Sequence, residues 1–475
     1  MGEDEVAGVL DHTRPRWDGG LSRGRIVPLA VLLSALLVAG AIAAESDPQA
    51  DSQPPAPKKH DPLAGMDPDG RIPKPPFPDD LPNPERWRYI PEGRLHPGNV
   101  LQRLLVTSFP IPTFSFSGDV GAGFGLSIAD IDFRGQRRQE FIRAGGSYTT
   151  EGQQSYDFSW RRWLHHLELP SGGVIQEERT FVAASAGYKK TLTRHYFGRG
   201  RKADTDSSFT DERVSFELRL DHALPEPGGD WVLSGGIRAQ FHDLDEGEAE
   251  NKPDTKDAFT NTFDRDRKTT LGWLQGGIAW DTRDSQANPY GGTQVRLTAG
   301  WAAIQQDLGK MGGRFSLRAS HVFPVPGLFH SGGDADEENP PTDTIGFSFV
   351  NTTSVGDLPF FELPTIGGDS RLRGDINGRW RDTAVWSASA EYRFWWLPRG
   401  FKITDSIRVE RLGLALFYDI GGLAPDWPGL FISRPIHSFG PSLRISLERG
   451  APFRVDFGWS SENDMNITAK FGLPW

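Results

Sequence analysis

Few residues in this 475-residue sequence are spaced for chemistry. His165 and His166 stand side by side near Trp163 and could bind a metal ion, but a position at a strand end favours interfacial side chains. Residues 243–257 carry seven carboxylates, which makes only a compositional case for calcium. The segment Gly198-Arg199-Gly200-Arg201 is interpreted as a solvated turn rather than an anion site.

The common sequence signatures of catalysis are also missing. The chain has no cysteine, which excludes disulfides, thiolate metal sites and cysteine nucleophiles. It contains no Gly-x-Ser-x-Gly elbow, no His-Glu-x-x-His motif and no phosphate loop. We therefore expect no enzymatic activity, no cofactor and no metal site.

Composition limits the fold class. A mean hydropathy of −0.47 excludes a polytopic helical membrane protein. A net charge of −11 and a pI near 5.5 argue against nucleic acid as a partner. With 55 Gly and 15 Trp, the chain is either a soluble all-β protein or a membrane barrel, whose lipid-facing residues alternate with polar ones and keep the average hydropathy low.

Apolar and polar residues alternate along many segments. In 412–420, Leu, Leu, Leu, Tyr and Ile share one face, and Gly, Ala, Phe and Asp share the other. A soluble sandwich would give the same pattern. Full charges of both signs on the polar faces, and aromatic residues such as Trp395, Trp396 and Trp459 at strand ends, favour a transmembrane barrel.

The alternation predicts an all-β, 16-stranded antiparallel transmembrane β-barrel over residues 104–475. The predicted strands are 104–116, 121–132, 138–149, 153–164, 178–190, 212–223, 231–243, 270–282, 292–306, 312–324, 343–355, 383–396, 409–420, 436–448, 451–460 and 466–475. An even number puts both termini in the periplasm and most long connections outside the cell.

The chain ahead of the barrel predicts export. An apolar run from Ile26 to Ala44 follows two arginines and ends in Ala-Ile-Ala-Ala, so residues 1–43 are interpreted as a leader and signal peptide; an uncleaved anchor is the alternative. Residues 44–103 are proline-rich and are predicted to be a disordered periplasmic tether. The predicted location is the bacterial outer membrane.

The last predicted strand carries a signal of its own. Phe471, Leu473 and Trp475 alternate along it, and the chain ends on the aromatic residue. A terminal aromatic residue on an amphipathic strand resembles the signal by which outer-membrane barrels are recognised for assembly. The barrel assembly machinery is therefore an expected partner for insertion of this chain.

Four motifs resemble one family. A strand ending in Asp281-Thr282-Arg283-Asp284 is followed by Pro289-Tyr290-Gly291-Gly292, a tight turn that restarts the next strand. Further motifs are Gly367–Asp375, Ala390–Phe394 and Phe417–Gly422. Together they resemble the bacterial surface antigen family of BamA/TamA-type outer-membrane assembly factors. Since only the tether precedes the barrel, we expect a member without the periplasmic POTRA domains.

Charge parity and this resemblance predict a lock between a loop and the lumen. Glu391 and Asp419 fall on the lumen-facing parity of adjacent strands, where a loop guanidinium could pair with them bidentately. The resemblance implies that the Arg373-Gly374 motif does so, with Arg371 as the competing candidate. The family usually has an aromatic residue where this chain has Asp375.

The resemblance implies protein insertion or translocation through a barrel that opens laterally between 104–116 and 466–475. The expected partners are outer-membrane lipids and unfolded outer-membrane or secreted client proteins. Two alternatives remain: a passive channel or structural barrel without insertase work, and a partner barrel for one secreted client.

Overall fold

The computed structural model describes residues 61, 63–75, 77–95, 108–117, 121–304, 310–334, 336–338, 340–403, 408–446, 452–462 and 465–473. The predicted leader and signal peptide, 1–43, lie outside these residues, as does Trp475 of the predicted assembly signal. Among the described residues, no helix combines the length and apolar character needed to cross a membrane.

Sixteen antiparallel strands form one sheet, each hydrogen-bonded to the next along the chain, and the predicted barrel is confirmed. They are β1 (Ser108–Ser117), β2 (Gly121–Asp130), β3 (Glu140–Thr149), β4 (Gln154–Trp163), β5 (Phe181–Tyr196), β6 (Ser207–Leu224), β7 (Trp231–Glu246), β8 (Lys268–Asp281), β9 (Gly292–Ile304), β10 (Met311–Val325), β11 (Asp343–Gly356), β12 (Ala384–Leu397), β13 (Arg411–Ala424), β14 (Ile436–Ser446), β15 (Phe453–Ser460) and β16 (Met465–Phe471). β1 and β16 stand at the two ends of the strand order.

The barrel is apolar outside and charged inside. Outward positions such as Leu274 and Leu416 are 67% and 56% exposed, whereas the inward Glu391 and Asp419 are each 1% exposed. An apolar outer face would be unstable in water but suits lipid. Of the neighbouring tryptophans that end β12, Trp396 faces outward and Trp395 is buried, so the prediction of an interfacial role is wrong for Trp395.

The two ends of the barrel differ. The loop end, formed by connections after odd-numbered strands, holds α1 (Thr255–Ala258), α2 (Thr260–Asp266) and the 3₁₀ helices Phe360–Glu362 and Pro428–Ile432. An apolar cluster packs the strands and loops together there. Its members include Phe209, Leu244, Phe263, Leu271, Trp273, Phe360 and Phe361.

The opposite end, the turn end, gathers the connections after even-numbered strands. The 3₁₀ helices Pro84–Arg86, Glu92–Arg94 and Phe133–Gly135 lie here. So do the short strands Trp87–Ile90, His166–Glu168, Val174–Glu177, Phe401–Lys402 and Arg408–Val409.

The described residues between 61 and 95 are packed, which corrects the prediction of a disordered tether for this part of 44–103. The strand Trp87–Ile90 pairs with Val174–Glu177, in the connection between β4 and β5. Trp87 and Leu81 are buried against Ile175. The proline count suggested no core, but a few apolar residues between the prolines find one in the turns.

Candidate functional site

The connection 357–383, between β11 and β12, folds into the barrel instead of standing outside it. Thr365–Ile366 and Trp380–Arg381 pair as a short hairpin and bring its tip inward. Ile366, Leu372 and Trp380 pack against Val385 and neighbouring strand residues. This apolar anchor positions the polar tip, residues 367–375, beside the inner wall.

Arg373 at this tip makes the predicted contacts with β12 and β13. Its Nε and Nη2 donate to the two carboxylate oxygens of Asp419 at 3.0 and 2.9 Å, in a bidentate fork. Its Nη1 donates to Glu391 at 2.7 Å, and its backbone N–H donates to Asp419 at 3.0 Å. The guanidinium carbon lies 3.6 Å from the ring centroid of Phe417.

Glu391 is shared among three arginines. Besides Arg373, it accepts from Arg393 Nε at 2.7 Å and from Arg444 Nη2 at 2.6 Å. Asp419 instead pairs with Arg373 and accepts from the Ser389 hydroxyl at 2.7 Å. Because a buried charge is stable only when paired, the lock gives each carboxylate a guanidinium partner. The contributions of Arg393 and Arg444 were not predicted from the sequence.

Gly374 brings the loop into direct contact with β15. A Cβ at this position would lie 2.4 Å from the carbonyl carbon of Trp459. A Cβ on Gly458 would in turn lie 2.5 Å from the Arg373 carbonyl oxygen. Asp375, where the family has an aromatic residue, accepts hydrogen bonds from Trp380 at 3.2 Å and from Ser460 at 2.9 Å. The Asp375 carboxylate thus holds the loop tip by hydrogen bonds, at a position where an aromatic residue would hold it by packing.

The loop also reaches the last strand, β16. Asn466 Nδ2 donates to the backbone carbonyls of Arg373 and Asp375, at 3.3 and 3.1 Å. Lys470 forms an ion pair with Asp369. Sequence reasoning missed Asn466 and Lys470, because nothing in their alternating strand indicates which loop they face. The tip therefore holds five consecutive strands, β12 to β16, from inside.

Arg371, the competing candidate, lies outside the lock. Burial and repulsion from Arg318 and Arg314 lower its pKa to about 10. No carboxylate of the described chain lies within ion-pairing distance of it. Arg371 therefore lies near the arginines of β10 and outside the contacts with Asp419.

The predicted turn motif forms a compact hydrogen-bonded turn at the turn end. Arg283 Nε and Nη2 fork onto the carboxylate of Asp281 at 3.0 and 2.9 Å. Asp284 accepts from the Tyr290 backbone N–H at 3.1 Å and donates its own N–H to the Gly291 carbonyl at 3.2 Å. Pro289 is buried in the turn. Burial raises the pKa of Asp284 to about 7.

Two arginines from other segments donate hydrogen bonds to the backbone of this turn. Arg179 donates to the carbonyls of Asp281 and Arg283 at 2.7 and 2.9 Å. Arg86, from the N-terminal segment, donates to the Thr282 carbonyl at 2.9 Å. The turn motif therefore fastens residues 61–95 to the barrel.

The remaining candidate residues make contacts within the protein. His166 contacts Gln176 at 3.1 Å, and no group of three potential metal-ligating side chains occurs among the described residues. The Gly-Arg segment is a surface turn with Arg199 exposed, as predicted, and Arg201 on it binds Glu462 at 2.6 Å. In the acidic loop, Glu246 pairs with Lys256 at 2.8 Å. Of the C-terminal signal, Phe471 pairs in register with Phe453, and Leu473 follows the end of β16.

Comparison with solved structures gives distant likenesses. BamA from Haemophilus ducreyi lacking POTRA domains 1–3 is 13% identical, covers 76% of this chain and 68% of its own, and has a TM-score of 0.46. CdiB from Escherichia coli is 13% identical with coverages of 76% and 61% and a TM-score of 0.49. CdiB from Acinetobacter baumannii is 10% identical with coverages of 76% and 58% and a TM-score of 0.44. This chain thus spans about three-fifths of the two CdiB chains.

The search of curated proteins found no match. A family model described as the Omp85 superfamily domain matches residues 138–473, well over half of the chain. This confirms the resemblance drawn from the sequence motifs. The chain belongs to the Omp85 superfamily.

Proposed function

We propose that this protein is an outer-membrane barrel that inserts or translocates other proteins by opening laterally between β1 and β16. Opening a strand pair needs no nucleophile or cofactor, and we propose that the protein has no enzymatic activity. The clients are unfolded outer-membrane or secreted proteins, and outer-membrane lipids surround the barrel.

The observation that carries this proposal is that the loop 357–383 ties together only one part of the sheet among the described residues. The loop 357–383 contacts the inner faces of β12 to β16, with Ile436 of β14 in its apolar cluster, and reaches Asn466 and Lys470 on β16. β1 and β16 are the two edges of the strand order. Because the loop ties β12 to β16 together, the sheet should separate more easily between β16 and β1 than between any two of these five strands.

The sequence of β1 further weakens this seam. Pro110 and Pro112 have no backbone N–H to donate. Ala122 in β2 bonds to Thr150 on the β3 side, so it is the odd-numbered residues of β2, and those paired with them in β1, that bond across the β1–β2 ladder. Pro110 and Pro112 therefore face the opposite side of β1, toward the seam. Proline is tolerated in sheets mainly on edge strands, and its presence here suits a strand that must part from a neighbour.

A cysteine cross-link across the seam tests the proposal, since the natural chain has no cysteine. Thr113→Cys is combined in turn with Asn466→Cys, Thr468→Cys and Lys470→Cys, and the pair that cross-links is kept. The assay measures insertion of a urea-unfolded eight-stranded barrel into lipid vesicles that contain the protein. We expect the oxidised pair to slow insertion at least fivefold and dithiothreitol to restore it.

The matched control is Ile278→Cys with Leu297→Cys, two residues directly opposite each other on β8 and β9. This cross-link ties strands that have no reason to part, so the insertion rate should stay the same. Lateral opening is refuted if the seam cross-link forms and the insertion rate stays at the control value.

A passive channel is the second candidate, favoured by the open space inside the barrel. Two adjoining chambers of about 950 and 610 Å³ extend inward from the turn end. A stable single-channel conductance that the oxidised seam does not change, together with no insertion activity, would favour this function instead.

A further inference from the structure

The smaller chamber, of about 610 Å³, is unusually positive for an acidic chain. Seven arginines line it, against three carboxylates, whereas the whole chain carries a net charge of −11. The residues come from β4 to β10 and the turn after β8, on the wall away from the lock. We call this space the arginine chamber.

Two of its carboxylates are already engaged by arginines. Arg219 forks onto Asp221 with both distances at 2.7 Å, and Arg283 forks onto Asp281. The third, Glu217, lies directly across from Arg238 in the β6–β7 ladder, but the two make no ion pair within the described chain. Arg314, a further lining residue, pairs with Glu362 of the loop at 3.0 Å.

Four arginines of the chamber therefore lack a close carboxylate partner among the described residues. Arg161, Arg238 and Arg318 have none, and Arg296 reaches Asp221 only at 3.9 Å. Aromatic rings hold two of these guanidinium groups in place: Arg238 lies 5.3 Å from the Trp273 centroid and Arg161 lies 4.4 Å from that of Phe181. Such contacts orient a cation without neutralising it.

Two arginines of the chamber, Arg296 and Arg318, lie directly opposite each other on β9 and β10. Like charges at directly opposed positions destabilise a sheet. Arg371 on the loop adds a third charge near Arg318 and Arg314: burial, and then repulsion from these two arginines, lower its pKa. The described residues supply few counter-charges to these three neighbouring cations, so a bound anion would stabilise them.

We propose that the arginine chamber binds a soluble anion of the phosphate class, carrying at least two negative charges. Guanidinium groups match the geometry of phosphate oxygens bidentately, and several unpaired arginines require a multivalent partner. A volume of about 610 Å³ lies in the range of small-molecule sites. The anion enters from the turn end, since the two chambers share Arg161, Arg219 and Arg283.

The test uses the full chain folded in detergent micelles and sodium pyrophosphate as the probe. Calorimetric titration at constant ionic strength should show saturable binding. The double variant Arg296→Gln/Arg318→Gln should weaken binding at least tenfold. Arg143→Gln removes a strand arginine that does not line the chamber and already lies near Asp157, so affinity should stay within twofold.

Thermal unfolding of the same proteins gives a second readout. Pyrophosphate should raise the unfolding temperature of the native barrel but not that of the double variant. Without pyrophosphate, the double variant should unfold at the same or a higher temperature, because the substitutions remove repulsion.

Three results would overturn the proposal. One is the lack of saturable pyrophosphate binding by the native barrel. Another is a ligand-free double variant that unfolds at a lower temperature than the native protein. The third is arginine-dependent stabilisation by phosphatidylglycerol in nanodiscs but not by pyrophosphate, which would assign the phosphate contacts to lipid head groups. None of these measurements depends on the seam opening.

Discussion

Replacing Arg373 by alanine tests how much the lock stabilises the barrel. The substitution removes four side-chain hydrogen bonds from a side chain that is fully buried. Glu391 keeps Arg393 and Arg444, but Asp419 loses its guanidinium partner and keeps two hydroxyl donors and the backbone N–H of residue 373. Removing one partner of a buried ion pair costs about 3–5 kcal/mol, and we expect Arg373→Ala to lower the free energy of unfolding by about that amount.

Asp419→Asn tests the other side of the same pair. It keeps the shape of the side chain but removes its charge, so the guanidinium of Arg373 keeps Glu391, which two other arginines share, and the more distant Asp456 at 3.8 Å. We expect a loss of similar size. Because the two residues contact each other, the double variant should lose about 2 kcal/mol less than the sum of the single losses.

Urea unfolding in detergent measures these differences, and the temperature at which the folded band disappears on gels gives a second readout. Arg143→Ala is the control. Its partner Asp157 lies 3.8 Å away and both side chains are about half exposed, so the expected loss is below about 1 kcal/mol. The reasoning is refuted if Arg373→Ala shifts the midpoint no more than this control, or if the two lock substitutions are simply additive.

Two further predictions concern the loop tip and the turn end. Gly374→Ala should destabilise the folded barrel and lower its gel transition temperature, because the added Cβ would lie 2.4 Å from the carbonyl carbon of Trp459; an unchanged transition would contradict the close approach. Asp284 has an ordinary pKa of 3.8 that burial raises to about 7, so the folded state holds the proton more tightly and stability falls as pH rises between these values. Asp284→Asn should remove this loss and exceed the native stability at pH 8 by at most about 4 kcal/mol, with little difference near pH 4. Equal unfolding midpoints of native and variant at pH 8 would show that the carboxyl is not destabilising.

Strand number and strand order followed from the sequence because the barrel imposes period two on every strand. The alternation in 412–420 matches the exposure pattern of β13 residue by residue. The ends of β5 and β6 were harder to predict. The structure extends them to Tyr196 and back to Ser207, because the strands continue beyond the alternating region into the apolar cluster at the loop end.

Contacts between distant segments were the least predictable part of the fold. Residues 61–95 and the connection 164–180 each have too few apolar residues to indicate a core alone. Packed together, they bury Trp87 and Ile175. Asn466 binds carbonyl groups of the loop tip, and such contacts depend on the path of the loop rather than on the strand in which Asn466 lies.

The different roles of Arg371 and Arg373 show why sequence spacing alone could not identify the lock. In an extended segment, residues two apart face the same side, so both arginines would have pointed at Asp419. Leu372 between them has a φ of +52°, a left-handed conformation that costs a non-glycine residue about 1–2 kcal/mol. Complete burial of Leu372 in the apolar cluster with Ile366 and Trp380 offsets this cost. One strained, buried leucine therefore directs one guanidinium into the lock and the other toward the arginine chamber.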